Sequence, residues 1–331
     1  MLRWREPSAL LPTTVPAPSE KALRLKGAAD TDFFRTQPAV VRSPLMSNDG
    51  RWRQQLRRNM YDVVWRPRLK SLLARLPVTR HVYNGWVRRH PFDVAHGVDT
   101  SGYMSAAECA PDAAMASQIL PYAGSQPSIV RAGIALLPDH NQYAFVDLGC
   151  GKGRALMVAS EFSFARLLGI EISPDLAGLA RRNAAVIAAQ NPRRPRIEIR
   201  VGDATGMRPP AERVVYFMYN PFGRALTETL VEGLERQLAN GLQHAFLIYY
   251  NPVYGDVLDR SPRLARWRAE TIPYADGELG FGPDLSDTLV TWQTLPERYP
   301  AQSGASRRIV TNESGLHARL EESPRDFGRR G

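Results

Sequence analysis

Cysteine is nearly absent from this chain of 331 residues, with only Cys109 and Cys150. That excludes a disulfide framework, and two thiols alone do not make a structural zinc site. A reducing, cytoplasmic setting is the expectation. No run of 18 apolar residues occurs, so no membrane-spanning helix is expected. The start, Met1-Leu2-Arg3-Trp4-Arg5-Glu6-Pro7, is basic but has no continuous apolar stretch followed by a cleavage site, so no secretory signal is expected. The six histidines show no metal spacing and no His-Glu-x-x-His, so no metal is expected. A Gly-x-Ser-x-Gly elbow and a phosphate-binding Lys-Ser/Thr loop are also missing.

What is there is globular in kind. The chain is 44% apolar and 23% charged, which excludes wholesale disorder, and its length suits one sizeable core plus appendages. The net charge of +10 is concentrated. Residues 51–90 hold eleven arginines and lysines against one acid, Asp62, and the other residues balance at 32 against 32. Such a block grips nucleic acid phosphates, lies on an anionic membrane with Trp52 and Trp65 inserted, or caps the domain with its arginines in water.

Residues 1–50, rich in Pro, Ser, Thr and Ala, read as a disordered leader, and Met46 is an alternative start. Residues 51–117 read as a basic extension of two short amphipathic helices and a loop-rich stretch. Residues 118–296 then alternate strands and helices. Apolar strands are expected at 143–148, 167–172, 197–201, 214–219 and 245–250, with helices between them. Ser173-Pro174-Asp175 is a helix start, and Gly241 closes a helix whose apolar face is Leu226, Leu230, Leu234 and Leu238. The fold class is therefore α/β, a doubly wound, mostly parallel sheet covered on both faces. Leu289–Leu295 adds a possible edge strand, and residues 297–331 read as a polar, flexible tail.

The chemistry concentrates where the first strand meets its helix, in Val146-Asp147-Leu148-Gly149-Cys150-Gly151-Lys152-Gly153-Arg154. Glycines let the backbone turn sharply and approach a ligand closely. Glu171 ends the second strand, where a carboxylate accepts both hydroxyls of a ribose. A dinucleotide and S-adenosyl-L-methionine both fit those two facts. The dinucleotide fingerprint wants glycine at the sixth loop position, which here is Arg154. It also sits poorly with Asp147, because an acid repels a pyrophosphate. The methyl donor carries an ammonium and a sulfonium, which acids attract. A tight turn without a ligand is the bland alternative.

Asp147–Gly153, Glu171, Gly202-Asp203-Ala204 and Asn220-Pro221-Phe222 together resemble the successive motifs of class I S-adenosylmethionine-dependent methyltransferases, across residues 118–255. Within that class, Phe92–Gly102 is similar to a Phe-Asp…Gly-Val-Asp-Thr-Ser-Gly segment of bacterial members. Tyr219-Asn220-Pro221-Phe222-Gly223 and Tyr122-Ala123-Gly124-Ser125 more distantly resemble the non-SET histone lysine methyltransferases. Pro221 leans instead toward the Asn-Pro-Pro-aromatic amino-methyltransferases, although the second proline is missing. The resemblance implies a Rossmann-like fold, S-adenosyl-L-methionine as cofactor, and donor contacts from Asp147, Gly149, Cys150, Gly151, Gly153, Glu171, Asp203, Ala204 and Asn220. Asp147 then faces the ammonium, Glu171 the ribose, and Asp203 with the Ala204 N–H the adenine.

For catalysis, the Asn220 side-chain carbonyl and the Pro221 backbone carbonyl are expected to orient an acceptor amine, with Phe222 packing on the substrate. The competing reading makes Asn220 a helix cap ahead of Pro221. Asp93, Asp99, Thr100 and Ser101 form a polar loop that either closes over the donor or is ordinary surface. Methyl transfer to an amine, on a protein lysine or another amine, is the leading expectation. Transfer to a small molecule or RNA, and a non-catalytic donor-binding module anchored to nucleic acid or membrane through residues 51–90, are the alternatives.

Overall fold

A computed structural model describes residues 89–206, 208, 210–281, 285–312 and 315–322. The leader and nearly all of the basic block lie outside the described residues. Seven strands form one sheet: β1 Ala144–Leu148, β2 Arg166–Glu171, β3 Ile197–Val201, β4 Arg213–Tyr219, β5 His244–Tyr250, β6 Leu264–Pro273 and β7 Ser286–Thr294. The spatial order is β3-β2-β1-β4-β5-β7-β6. The first five strands are mutually parallel, whereas β7 runs antiparallel to both β5 and β6.

Strands β1 and β5 are buried along their whole length, as continuous apolar runs demand when helices cover both faces. On one face, α2 (Pro127–Ala135), α3 (Arg154–Ala159) and α4 (Pro174–Gln190) pack with Phe145, Leu167, Phe217 and Phe246. On the other, α5 (Arg224–Ala239) and α6 (Gly255–Asp259) pack with Val146, Leu168, Met218 and Leu247. The start of α4 is as expected: Ser173 caps Leu176 N–H, Pro174 takes the first turn and Asp175 faces the dipole's positive end. This is the doubly wound, Rossmann-like fold that the resemblance implied. Among the described residues, no helix is long and apolar enough to cross a membrane.

Three expectations are corrected. The strand near Leu289 is not an edge: β7 lies between β5 and β6, and β6 is the edge. The polar tail carries an antiparallel hairpin, Arg308–Thr311 with Ala318–Glu321. Asn251 holds it, donating to Leu316 O at 2.9 Å and accepting from Ala318 N at 2.8 Å. Finally, the boundary at residue 118 does not separate an extension from the domain, because residues 89–125 are fastened to the sheet's helices.

That fastening is polar and buried. The short helix α1 (Pro91–His96) ends at Gly97, and the loop after it returns Thr100 and Ser101 to Asp93. Asp93, fully buried, accepts from Thr100 N at 2.8 Å, from Ser101 Oγ at 2.6 Å and from Thr100 Oγ1. Lys152 in the glycine loop donates to Ser101 O at 2.6 Å and pairs with Asp99 at 3.1 Å. Asn183 of α4 exchanges hydrogen bonds with the Asp99 backbone in both directions. The 93–101 loop is thus part of the folded domain rather than ordinary surface.

Candidate active site

The glycine turn between β1 and α3 opens a cleft at the carboxyl ends of β1, β2 and β4. Its empty space is about 860 Å³, with solvent at the mouth included. Gly149, Gly151 and Gly153 all have positive φ, at 75°, 53° and 85°. Two of them also allow close approach. A Cβ on Gly149 would lie 2.9 Å from Pro221 Cβ, and one on Gly151 would lie 2.3 Å from the Tyr122 ring. Gly149 and Cys150 both donate to Ile170 O at 2.9 Å, which ties the turn to β2. Gly153 does not line the cleft; it caps α3.

Two acids are buried in this cleft. Asp147 is 3% exposed and Glu171 5%. Glu171 accepts from Gly151 N at 2.7 Å and Ser173 N at 2.9 Å, one bond per oxygen, so each oxygen keeps a lone pair for a ribose hydroxyl. Among the described residues no hydrogen bond or ion pair reaches the Asp147 carboxylate. Burial, and then the nearby charge of Glu171, push the Asp147 carboxyl well above its ordinary value. Burial also raises Glu171, against the pull of its backbone donors. Burial likewise raises the Cys150 thiol, which keeps it neutral and unsuited to attack.

Asp203 and Ala204 line the cleft beyond β3. One Asp203 oxygen accepts from Thr205 N and Oγ1, both at 2.8 Å, which closes a local turn. Among the described residues, none bonds the other oxygen. Pro221 and Phe222 also line the cleft.

Asn220 behaves otherwise. Its side chain accepts from Tyr249 OH at 2.9 Å, away from the cleft lining, and its backbone takes a positive φ of 42°. The Pro221 carbonyl accepts from Leu120 N at 3.0 Å, and Gly223 N donates to Gln118 O. The cap of α5 is Gly223, not Asn220. The cap reading of Asn220 is therefore corrected, since Gly223 caps α5; Asn220 sits in the turn after β4, which Pro221 and Gly223 tie to residues 118–120.

Several lining residues were not foreseen as site residues. Tyr122 lays its ring on the glycine turn and donates to Thr100 O at 2.7 Å. Tyr219 stacks on Tyr250 with ring centres 4.0 Å apart. Arg154, noted in the sequence only as a missing glycine, reaches into the lining. The lining also includes an apolar group, Met115, Ile119, Leu120, Pro121, Phe222 and Leu226.

Fold and cleft together define a Rossmann-like α/β domain with an acidic, glycine-lined cleft at its strand ends. Known structures similar to it include TrmN from Thermus thermophilus, with 18% identity over 51% of this chain and 49% of that one, at a TM-score of 0.37. The chain thus spans about half the length of that protein. An RNA methyltransferase from Salinibacter ruber in complex with S-adenosyl-L-homocysteine is 23% identical over 53% of this chain and 94% of that one, with a TM-score of 0.32. The B. subtilis M1A22 tRNA methyltransferase TrmK is 16% identical over 51% and 64%, with a TM-score of 0.36. No family model and no curated protein matches the chain.

Proposed function

We propose that this protein is an S-adenosyl-L-methionine-dependent methyltransferase that transfers the methyl group to an amine nitrogen. The observation that carries the donor assignment is Asp147: a buried carboxylate without a cation, beside a second buried acid, over a glycine turn. Such a site rejects a pyrophosphate by charge and attracts an ammonium. Glu171 accepts the ribose hydroxyls, the open oxygen of Asp203 takes the adenine amino group, and the Ala204 N–H donates to the ring. Gly149 and Gly151 let Pro221 and the Tyr122 ring close onto the turn, where any Cβ would collide with them.

When bound, the donor supplies a methyl carbon on a sulfonium: the acceptor's lone pair forms the new bond as the carbon–sulfur pair returns to sulfur. The chain's task is to align the acceptor and to keep its lone pair free. Support for nitrogen comes from the apolar mouth. Met115, Ile119, Leu120, Phe222 and Leu226 carry no group that takes a proton. That surface suits an amine whose ammonium form is disfavoured by burial and which arrives neutral. A protein lysine or another amine fits this description. RNA or a small molecule methylated at another atom is the competing acceptor.

Calorimetry with S-adenosyl-L-methionine, S-adenosyl-L-homocysteine and NAD tests the donor. Binding of the first two and not the third is expected, and the reverse sinks the assignment. With methyl-labelled donor and fractionated cell extract, mass spectrometry then locates the label. A methyl on oxygen or carbon overturns the amine while leaving the donor intact.

A further inference from the structure

Arg154 is the first residue of α3, and it is 5% exposed. Its guanidinium lies against Gly124, where a Cβ would approach Cζ to 2.6 Å. Nε donates to Thr100 Oγ1 at 2.6 Å, Nη2 to Thr100 O at 2.8 Å and Nη1 to Ser125 O at 3.0 Å. A guanidinium has five N–H groups, so these three bonds leave two. Among the described residues, no carboxylate lies within ion-pair distance of Arg154, and it is the one cation among the residues lining the cleft.

The cleft therefore holds a buried guanidinium and a buried Asp147 carboxyl group, neither in contact with a counter-ion among the described residues. Each is costly alone, because burial removes the water that would solvate it. A single ligand that carries both an ammonium and a carboxylate relieves both. The amino-acid end of the donor is such a group. We propose that Arg154 holds the donor's carboxylate while Asp147 holds its ammonium, so that the enzyme selects the carboxylated donor. This assignment rests on the donor reading above. The planar fork of the guanidinium suits a carboxylate, and a decarboxylated donor leaves Arg154 unpaired.

The test pairs two ligands with two variants of the full chain. S-adenosyl-L-homocysteine and S-adenosyl-3-thiopropylamine differ only in the carboxylate. By calorimetry the wild type is expected to prefer the first by at least about tenfold, or 1.4 kcal/mol. In Arg154→Gln that preference falls to within about threefold, and in Arg154→Lys it is partly kept. If Arg154 only fastens Thr100 and Ser125, Arg154→Gln weakens both ligands by one factor and the preference survives, which overturns the proposal. A wild type that does not distinguish the ligands overturns it without any variant, even if Arg154→Gln fails to fold. A wild type that binds neither ligand removes the donor reading itself, and this assignment with it.

Discussion

At the scale of the residue, the proposed donor site and the stability of the fold make opposite demands on Asp147. Its carboxyl is held high by burial and by Glu171. A group whose folded value is raised contributes stability that is present below its unfolded value, about 3.9 for aspartate. That contribution is lost as pH rises through the raised folded value. In the free protein, Asp147 therefore favours the fold in acid and works against it at neutral pH. A bound ammonium reverses this by pairing with the ionised form. The rise in melting temperature caused by S-adenosyl-L-homocysteine should consequently grow from pH 5 to pH 8. Asp147→Asn should stabilise the free protein at pH 7 by about 1 kcal/mol, or roughly 2–4 °C. The same change should weaken donor binding by tenfold or more and flatten the pH dependence. Thermal melts with and without ligand check both, and a lowered melting temperature for the free variant at pH 7 would mean that Asp147 is compensated in the fold.

At the scale of the element, the glycine turn and the 93–125 segment are one device. Gly151 has a positive φ, and the Tyr122 ring occupies the space of its missing side chain. Gly151→Ala incurs left-handed backbone strain of about 1 kcal/mol and must also displace the ring. A total loss of about 2–4 kcal/mol in urea unfolding is expected, with donor binding lost alongside. Gly206→Ala, which meets nothing within 4 Å, should stay within about 0.5 kcal/mol. Adding Tyr122→Ala to Gly151→Ala should recover part of the loss, since the two changes share one clash. Strictly additive losses would show that the ring and the turn are not in contact.

The same elements show how far sequence reaches. Strands β1, β2, β4 and β5 were legible because parallel strands buried on both faces are largely apolar, whereas β3, at the sheet's other edge, showed in the alternation of Ile197-Glu-Ile-Arg-Val201. Strand β6 was not: Leu264-Ala-Arg-Trp-Arg-Ala-Glu-Thr-Ile-Pro273 mixes charge with apolar residues, and its register slips between Arg266 and Arg268. That irregularity breaks the period of two that announces a strand. The acids and glycines of the cleft were legible from spacing at strand ends. The Asp93–Thr100–Arg154 fastening was not, because it buries polar residues that hydropathy assigns to the surface. The Tyr249–Asn220 bond was not legible either, because Tyr249 lies one strand away and only the β4–β5 register brings the two together.

At the scale of the whole molecule, the residues that line the cleft and the basic block at 51–90 are separate stretches of the chain. Among the described residues, those lining the cleft all lie between Cys109 and Leu226. The polar fastening that holds Lys152 and Arg154 begins at His90, whose ring accepts from Phe92 N and meets Gln126 at 3.0 Å. Removing residues 1–88 should thus leave affinity for S-adenosyl-L-homocysteine within about tenfold, or 1.4 kcal/mol. Removing residues 1–101 should abolish it, because Asp93, Thr100 and Ser101 are lost and Arg154 and Lys152 keep no partners on that side. The shorter deletion also removes ten of the eleven basic residues in the 51–90 window. If that window grips an anionic partner, salt-dependent binding to nucleic acid should disappear in the same protein that still binds the donor. Unchanged nucleic acid binding would place that contact elsewhere on the chain. A truncation at residue 88 that folds but no longer binds the donor would show that the basic segment completes the cleft, and that the two functions are not separable.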